Sequence, residues 1–323
     1  MGVQITACGA YVPEECVRNE DLSKLGYDAD WIVQRTGIQQ RHRAAPGEAT
    51  SDLAYRASVR CLERAGVRAD EVDLILVATM TPDTPMPSTA CHLQRRLCCA
   101  AAAIDVNAAC AGFLYALATA AHFVYGGSCR RVLVVGADVM TRVVNPEDKK
   151  TYPLFGDGAG AVLVEAGSKT QGLLAFTLGA DGEGTELLCM PGGGSRLPLS
   201  RDVLARQEHF VRMNGRPVFK WAVRILAHTI LDVLDHATLG PSDIDTIVFH
   251  QANKRIIDAA VEAARLDPEK VVLNLDRFGN TSAGSVPLAL DEALAAGRIR
   301  RGDHVLLCGF GGGLAWGAAL IKW

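Results

Sequence analysis

The chain has 323 residues, of which 49% are hydrophobic and 21% are charged, and this composition excludes a disordered or fibrous protein. Its 33 basic and 36 acidic side chains give a net charge of −3, so no excess of positive charge points to nucleic acid or an anionic membrane as a partner. The 10 cysteines form no CxxC pair and are not grouped with histidines at metal-ligand spacing. We therefore predict no metal site, and the free thiols favour a reducing, cytoplasmic compartment.

Short apolar runs alternate with helical patterns along the chain, which is typical of an α/β protein with largely parallel sheets. The sequence predicts strands at 3–12, 72–78, 102–107, 131–136, 159–165, 245–250, 304–308 and 316–321. It predicts helices at 51–65, 88–97, 111–125, 217–236, 255–264 and 287–296. The helix at 111–125 is apolar on all sides but spans only about 22 Å, which is too short to cross a bilayer and predicts a buried central helix.

The two halves of the sequence resemble each other. The segments VDLILVA at 72–78 and IDTIVFH at 244–250 match, as do VLVVG at 132–136 and VLLCG at 305–309. Each half then passes through a glycine-rich turn into a strand, beginning at Gly156 in the first half and Gly311 in the second. A duplicated α/β unit explains this pattern, and we divide the chain into 1–170 and 171–323. The glycine- and proline-rich stretch 181–200 is a predicted loop and a candidate lid.

Cys110 is a candidate nucleophile because it lies where the predicted strand at 102–107 turns into the apolar helix. Free N–H groups and the macrodipole at a helix start favour a thiolate, and a strand–turn–helix connection is how a nucleophile elbow presents its side chain. The alternative interpretation is that Cys110 is one more small apolar core residue.

His250 and Asn280 follow predicted strands of the second half. A cysteine at a strand end in one half, with a histidine and an asparagine at strand ends in the other, suits a site at the seam. Singly, such a histidine is also typical of a hydrogen-bonded surface group, and Asn280-Thr-Ser of a turn. The segment 309–317 supplies backbone N–H groups suited to an oxyanion hole, and it does not fit a phosphate loop because neither GKS/T nor a helix follows.

Four cations recur at every fourth position, namely Arg212, Arg216, Lys220 and Arg224. Those that lie within the helix are predicted to share one helical face. This face is either simply solvated or, together with Lys254 and Arg255 near His250, a basic approach for an acidic partner.

Taken together, these motifs resemble β-ketoacyl-acyl carrier protein synthase III, the initiating condensing enzyme of type II fatty-acid synthesis. The resemblance covers essentially the whole chain and rests on the following segments: WIVQRTG at 31–37, Cys110 in its elbow, FGDGAG at 155–160, HQANKRI at 250–256, GNTS at 279–282 and FGGGLAW at 310–316. It implies the thiolase fold, in which a duplicated α/β unit is stacked as α-β-α-β-α layers.

The resemblance also implies a reaction and a set of partners. Cys110 would be acylated by an acyl-CoA, and His250 with Asn280 would drive decarboxylation of malonyl-acyl carrier protein. The backbone N–H groups of Cys110 and Gly312 would form the oxyanion hole. The family needs no cofactor, uses CoA thioesters as substrates and is a homodimer.

The remaining site residues are carried over position by position. CoA and pantetheine would contact Trp31, Arg35, Met213, Gly215, Phe219 and Asn253. Met86 resembles the acyl-pocket residue given across the dimer interface, and its flexibility leaves the preferred primer length open. Lys220 and Arg255 match the patch that binds carrier protein. Lys149 replaces the arginine that some members place beside the adenine.

Three alternatives to this function remain at the level of sequence. A ketosynthase priming a polyketide pathway, or an acyltransferase of such a pathway, would keep the same catalytic residues. A cysteine hydrolase would use a Cys–His–Asn triad in which Asn280 orients His250. A thiol-sensing or binding protein would need no catalysis, and the joint presence of Cys110, His250 and Asn280 argues against it.

Overall fold

A computed structural model describes residues 2–168 and 170–323. Its strands are β1 (Val3–Tyr11), β2 (Glu15–Arg18), β3 (Gln40–Arg43), β4 (Leu74–Ala78), β5 (Ala102–Val106), β6 (Arg131–Val139), β7 (Asp157–Ala166), β8 (Gly172–Ala180), β9 (Leu188–Cys189), β10 (Arg212–Met213), β11 (Thr246–Phe249), β12 (Val271–Val272), β13 (His304–Gly311) and β14 (Ala315–Lys322). Its helices are α1 (Ala29–Thr36), α2 (Thr50–Ala65), α3 (Thr89–Leu97), α4 (Gly112–Tyr125), α5 (Arg201–Ala205), α6 (Gly215–His236), α7 (Lys254–Ala263), α8 (Leu275–Phe278) and α9 (Ser285–Ala295).

Two five-stranded sheets have the same topology. One has the order β1-β7-β6-β4-β5 and the other the order β8-β14-β13-β11-β12. In the first, β4 pairs in parallel with β5 and β6, and β7 pairs antiparallel with β6 and β1. In the second, β11 pairs in parallel with β12 and β13, and β14 pairs antiparallel with β13 and β8. This confirms the duplicated α/β architecture. The predicted division near residue 170 falls between β7 and β8 and stays a proposal.

The buried side chains show how the layers stack. One apolar cluster joins α4 and α9 to the facing sides of both sheets. A second cluster packs α2 and α3 on the outer face of the first sheet, and a third packs α6 and α7 on the outer face of the second. The order is therefore helices, sheet, α4 with α9, sheet, helices, as predicted for the five-layer fold. Helix α4 is buried at this centre, and no helix among the described residues is long and apolar enough to cross a membrane.

The glycine-rich segment after Phe155 is strand rather than the predicted turn. β7 begins at Asp157, and Gly160 lies opposite Gly136 of β6. A Cβ on Gly160 would lie 2.6 Å from the backbone nitrogen of Leu288 in α9. These glycines therefore let the central helix α9 lie directly on the strands. In the sequence, a strand that is rich in glycine for this reason has the same composition as a turn.

Other differences concern strands with weak sequence signals. The prediction omitted β8, β12 and the short hairpin of β2 and β3. The stretch 181–200 is irregular apart from a 3₁₀ turn and the two residues of β9, which pair with β10. Its residue Leu188 forms part of the wall of the candidate site.

Candidate active site

A cavity of about 460 Å³ opens where the two halves meet. Its wall includes these residues of the sequence prediction: Trp31, Arg35, Cys110, Met213, Gly215, Phe219, His250, Asn253 and Asn280. It also includes Lys150, Phe155 and Leu188, to which the sequence gave no role, and Arg216, which the sequence placed only among the cations of a possible basic approach. The structure thus brings the candidate nucleophile, histidine and asparagine into one space.

Cys110 lies in a 3₁₀ turn (Ala109–Ala111) between β5 and α4. The residue in the left-handed region is Ala109, with φ of 47°, and Asn107 Oδ1 accepts a hydrogen bond from its N–H at 3.1 Å. The end of β13 lies against this turn, since a Cβ on Gly311 would lie 2.6 Å from the Cys110 nitrogen. Only glycine at position 311 permits this approach, which brings the glycine-rich segment to the backbone N–H of Cys110.

The expectation that the helix start favours a Cys110 thiolate is contradicted by the burial of the residue. Burial raises the pKa of the Cys110 thiol to about 12. The residue is almost fully buried at the centre of the five layers, so removing a charge from water outweighs the attraction of the helix terminus. Position at the helix start is visible in the sequence, whereas burial is a tertiary property.

His250 follows β11 and is held from several sides. Its N–H donates to the carbonyl oxygen of Cys308 at 2.7 Å, and its Nδ1 lies 2.6 Å from Ser285 Oγ. The ring of Phe310 meets the imidazole edge-on, with 5.5 Å between centroids. Burial lowers the pKa of His250 to about 3, so the imidazole is neutral at physiological pH.

Asn280 follows the short helix α8 and not a strand as predicted, and it is held by the turn in which it lies. Its N–H donates to the Leu154 carbonyl at 2.8 Å, and its own carbonyl accepts from Gly156 N–H at 3.0 Å. The side-chain oxygen Oδ1 accepts from Ser282 N–H at 2.9 Å. Because the oxygen is occupied, the Asn280 side chain offers its NH₂ group to the cavity as a hydrogen-bond donor.

Buried Asp138 anchors this turn to the first half. Its Oδ1 accepts from Thr79 Oγ1 at 2.9 Å and from Thr81 Oγ1 at 2.8 Å, and its Oδ2 accepts from Ala283 N–H at 3.1 Å. Asp138 is the second-last residue of the central strand β6, which lies in the same sheet as the β5 strand that leads to Cys110. One buried carboxylate therefore fixes the position of the Asn280 turn relative to the first half.

The mouth of the cavity is aromatic and cationic. Trp31 is 43% exposed, and the Arg35 guanidinium lies 5.9 Å from the centre of its ring. Asn253 Nδ2 donates to the Arg35 carbonyl at 3.1 Å, which links α7 to α1. Lys150 lies in the wall, whereas Lys149, the position singled out by the sequence, donates to the Gly26 carbonyl at 2.8 Å.

A second, apolar cavity of about 60 Å³ adjoins Cys110 on its other side. Its wall consists of Met80, Ala109, Cys110, Met140, Phe155, Leu188, Cys189, Met190, Val211 and Gly312. The predicted oxyanion residue Gly312 therefore lines the same cavity as Cys110. Met86 lies outside both cavities and is 86% exposed. These wall residues come from separate segments with no shared motif, so the sequence carries no signal for this cavity.

The four recurring cations are all exposed; Arg212 lies in β10, and the other three lie in α6. Of these, Arg216 lines the cavity and Lys220 lies outside it. Arg255 of α7 is also exposed, and its guanidinium lies 5.7 Å from the centre of the Phe219 ring in the cavity wall. Its neighbour Lys254 is paired with Asp258 at 2.7 Å.

The geometry excludes one alternative function. In a Cys–His–Asn triad the asparagine side chain orients the histidine ring. Here the Asn280 oxygen accepts from Ser282 N–H, and His250 Nδ1 contacts Ser285. His250 and Asn280 both line the cavity, and each is held by a different hydrogen-bond partner. Residues 2–168 and 170–323 contain no group of three side chains suited to hold a metal ion.

Comparison with known proteins identifies the family. Two sequence models of 3-oxoacyl-[acyl-carrier-protein] synthase III match the chain, one at residues 104–182 and the C-terminal one at residues 234–323. The β-ketoacyl-[acyl-carrier-protein] synthase III of Rhodopirellula baltica is 56% identical and covers 100% of this chain and 99% of its own length. The chain belongs to the β-ketoacyl-acyl carrier protein synthase III family.

Solved structures agree with this assignment to the synthase III family. The synthase III of Thermus thermophilus has a TM-score of 0.93 and 46% identity, covering 99% of both chains. A priming β-ketosynthase from the R1128 polyketide pathway has a TM-score of 0.90 and 35% identity, covering 99% of this chain and 96% of its own. The thiolase fold expected from the sequence is thereby confirmed.

Proposed function

We propose that this protein catalyses the decarboxylating Claisen condensation of an acyl-CoA primer with malonyl-acyl carrier protein and thereby initiates fatty-acid synthesis. The observation that carries the proposal is the convergence of Cys110, His250 and Asn280 on one cavity in a chain of the synthase III family. The relatives named synthase III reach 56% identity, against 35% for the polyketide-priming ketosynthase, so we favour fatty-acid initiation over polyketide priming.

In the first half-reaction, the sulfur of Cys110 attacks the thioester carbonyl of the acyl-CoA. The backbone N–H groups of Cys110 and Gly312 hold the oxyanion of the tetrahedral intermediate. The C–S bond to CoA then breaks, and CoA leaves as a thiol with the proton that Cys110 loses. The acyl group remains on Cys110 and extends into the apolar cavity beside it.

In the second half-reaction, malonyl-acyl carrier protein occupies the cavity from which CoA has left. Its C–C bond to the carboxylate breaks, CO₂ departs, and the electron pair moves onto the thioester as an enolate. His250 Nε2–H and the Asn280 NH₂ group donate to the enolate oxygen. The enolate carbon then attacks the acyl-Cys110 carbonyl and releases β-ketoacyl-acyl carrier protein and the cysteine thiolate, which takes up a proton. These steps use only groups of the chain, so the proposal includes no cofactor.

The walls of the two cavities suggest how the substrates bind. CoA and pantetheine contact Trp31, Arg35, Met213, Gly215, Phe219 and Asn253, and we add the cations Lys150 and Arg216, whose charge suits phosphate groups. The apolar cavity of about 60 Å³ suits a short primer. Because three of its wall residues are flexible methionines, longer chains can enter if those side chains move.

We further propose that the protein is a cytoplasmic homodimer joined along β5. This strand pairs with β4 on one side only, and its residue Ile104 is 46% exposed. An open edge with an exposed isoleucine favours pairing with a second copy. Met86 is 86% exposed, which suits a side chain that enters the acyl pocket of the partner. Lys220 and Arg255 are proposed to bind the acidic carrier protein.

Intact-protein mass spectrometry with a panel of acyl-CoAs tests the proposal. The wild type should gain one acyl group and then convert malonyl-acyl carrier protein to the β-ketoacyl product. Cys110→Ala should gain none, whereas Cys189→Ala, which alters another cysteine of the same apolar cavity, should still be acylated. An adduct that survives in Cys110→Ala would remove the nucleophile assignment.

A further inference from the structure

The surroundings of His250 assign the proton on its imidazole. Its Nδ1 lies 2.6 Å from Ser285 Oγ, and the same oxygen accepts from the backbone N–H of Gln251 at 3.3 Å. Both Ser285 and His250 are 2% exposed. A serine hydroxyl carries one proton, so what matters is whether it donates to His250 or accepts from it.

The hydrogen bonds of the described chain leave one consistent arrangement. Ser285 Oγ has His250 Nδ1 as its sole acceptor neighbour within hydrogen-bond distance. If Nδ1 carried a proton and donated it, the Ser285 hydroxyl proton would be buried without an acceptor, which costs free energy. The Ser285 hydroxyl therefore donates to Nδ1. Because the imidazole is neutral and holds one proton, that proton is on Nε2.

Gln251 makes this arrangement rigid. Its Nε2 donates to the carbonyl oxygens of Phe249 at 2.8 Å and Val272 at 3.1 Å, and its Oε1 accepts from Asn274 N–H at 3.0 Å. The side chain is thus used in full to hold the backbone after β11. The backbone N–H of Gln251 is thereby held toward Ser285 Oγ, so one lone pair of the serine oxygen is always occupied.

We propose that Ser285 is a positioning residue that fixes His250 in the Nε2–H tautomer and so makes it a hydrogen-bond donor toward the cavity. The inference rests on the proposed function and deepens it. An imidazole with a proton on Nε2 can donate to the enolate oxygen, but this nitrogen cannot accept the thiol proton of Cys110. Ser285 therefore serves decarboxylation and condensation, and acylation of Cys110 proceeds without His250 Nε2 as its base.

Nitrogen NMR of histidine-labelled protein reads the tautomer directly. The His250 signals are assigned by their loss in His250→Gln, and the wild type should show a protonated Nε2 and an unprotonated Nδ1. Ser285→Ala should raise the population with the proton on Nδ1, whereas Ser285→Thr, which keeps the hydroxyl, should retain the wild-type pattern. A wild-type spectrum with the proton on Nδ1 would overturn the inference, even if the Ala variant failed to fold.

Kinetics of the two half-reactions provide the second measurement. In Ser285→Ala, CO₂ release from malonyl-acyl carrier protein should fall roughly 10- to 100-fold, the usual cost of losing a group that sets a histidine tautomer or orientation. The decrease should be in kcat with little change in KM, and Ser285→Thr should recover most of it. Acylation of Cys110 by acetyl-CoA should stay within about twofold of wild type, because it does not use the donor at Nε2.

Two results separate this inference from the proposed function. An equal loss in both half-reactions, with the tautomer unchanged in Ser285→Ala, would mean that Ser285 only supports the fold and would overturn the inference. Failure of the wild type to be acylated or to release CO₂ would instead contradict the proposed function. The tautomer measurement needs no substrate, so it stands apart from that result.

Discussion

At Asn280 the chemistry depends on which end of the amide faces the substrate. The oxygen is occupied by Ser282 N–H, so the donor end is available, and a donor is what an enolate requires. Removing it with Asn280→Ala should lower CO₂ release about a hundredfold. Asn280→Asp should be slower still, because its second oxygen would place a carboxylate against the enolate.

Acylation of Cys110 is the internal control for the two Asn280 variants, because it measures the first half-reaction alone. Both Asn280 variants should form the acyl adduct at close to the wild-type rate, as seen by intact mass. CO₂ release from malonyl-acyl carrier protein then measures the second half-reaction alone. If Asn280→Asp were faster than Asn280→Ala, the side chain would not be a donor to the developing anion.

Single residues show where sequence reasoning succeeds and where it ends. Cys110 and His250 lie just after strands and Asn280 lies just after the short helix α8, and all three lie within short motifs, so their meeting at one seam was predictable although the strand expected before Asn280 was wrong. The protonation of Cys110 and His250 was not, because burial raises the first pKa and lowers the second, and burial depends on helices distant in the chain. The partner of His250, Ser285, is likewise brought near by the fold alone.

Among the elements, β6 is closely packed against the turn that carries Asn280. A Cβ on Gly136 would lie 2.1 Å from the carbonyl oxygen of Ala283, and β6 is paired on both sides and cannot move away. Gly136→Ala should therefore lower the free energy of unfolding by about 3 kcal/mol and slow CO₂ release by displacing the turn.

The matched control for Gly136→Ala is Gly47→Ala in an exposed loop. A Cβ on Gly47 would meet nothing within 4 Å, and the change should stay within about 0.5 kcal/mol of wild type. Urea denaturation of the two variants gives the comparison. Equal stabilities would show that β6 or the turn can shift to admit a methyl group.

Periodicity explains which elements the sequence predicts well. Helices α2, α4 and α6 lie within about two residues of their predicted bounds, because long apolar patterns fix them. The glycines of β7 resemble a turn in composition. They lie in a strand because α9 packs so close to it that a side chain would not fit. Since that contact joins segments far apart in the chain, no local pattern reports it.

For the whole molecule, neutral His250 affects stability at acid pH. Its pKa is about 3 in the folded protein, against an ordinary value of 6.5. Between these values the unfolded chain binds the proton and the folded chain does not, so stability falls as pH decreases below 6.5. From pH 8 to pH 5 this residue should cost about 2 kcal/mol.

Urea denaturation at both pH values, on wild type and His250→Asn, isolates this contribution. The asparagine variant has no titrating group at the position, so its stability should fall less over the same pH interval. The difference between the two decreases measures the histidine, and other titrating groups cancel. Equal decreases would mean that His250 titrates with the same pKa in the folded and the unfolded chain, and a smaller decrease in the wild type would mean that folding raises its pKa.

The distribution of charge over the molecule leads to a prediction for carrier-protein binding. Lys220 and Arg255 are exposed near the cavity, with Arg255 stacked toward Phe219. Glu262 and Ala263 also face solvent on α7 and carry no positive charge. Lys220 and Arg255 should therefore each contribute more to binding the acidic carrier protein. Lys220→Glu or Arg255→Glu should raise the KM for malonyl-acyl carrier protein roughly fivefold at low salt, because an exposed charge acts mainly on encounter with an acidic partner.

Ionic strength and the position of the substituted charge provide two controls for this prediction. The advantage of wild type should shrink as ionic strength rises, since exposed charges are screened over about 8 Å at physiological salt. Arg301→Glu makes the same change in net charge just before the start of β13, whereas the cavity lies at the other end of that strand. This variant should therefore leave the KM near wild type.

Acylation by acetyl-CoA should change little in the Lys220 and Arg255 variants, because Trp31 and the cavity wall hold that substrate. Equal losses with both substrates would assign these cations to CoA binding or to the fold and would place carrier-protein docking on another surface.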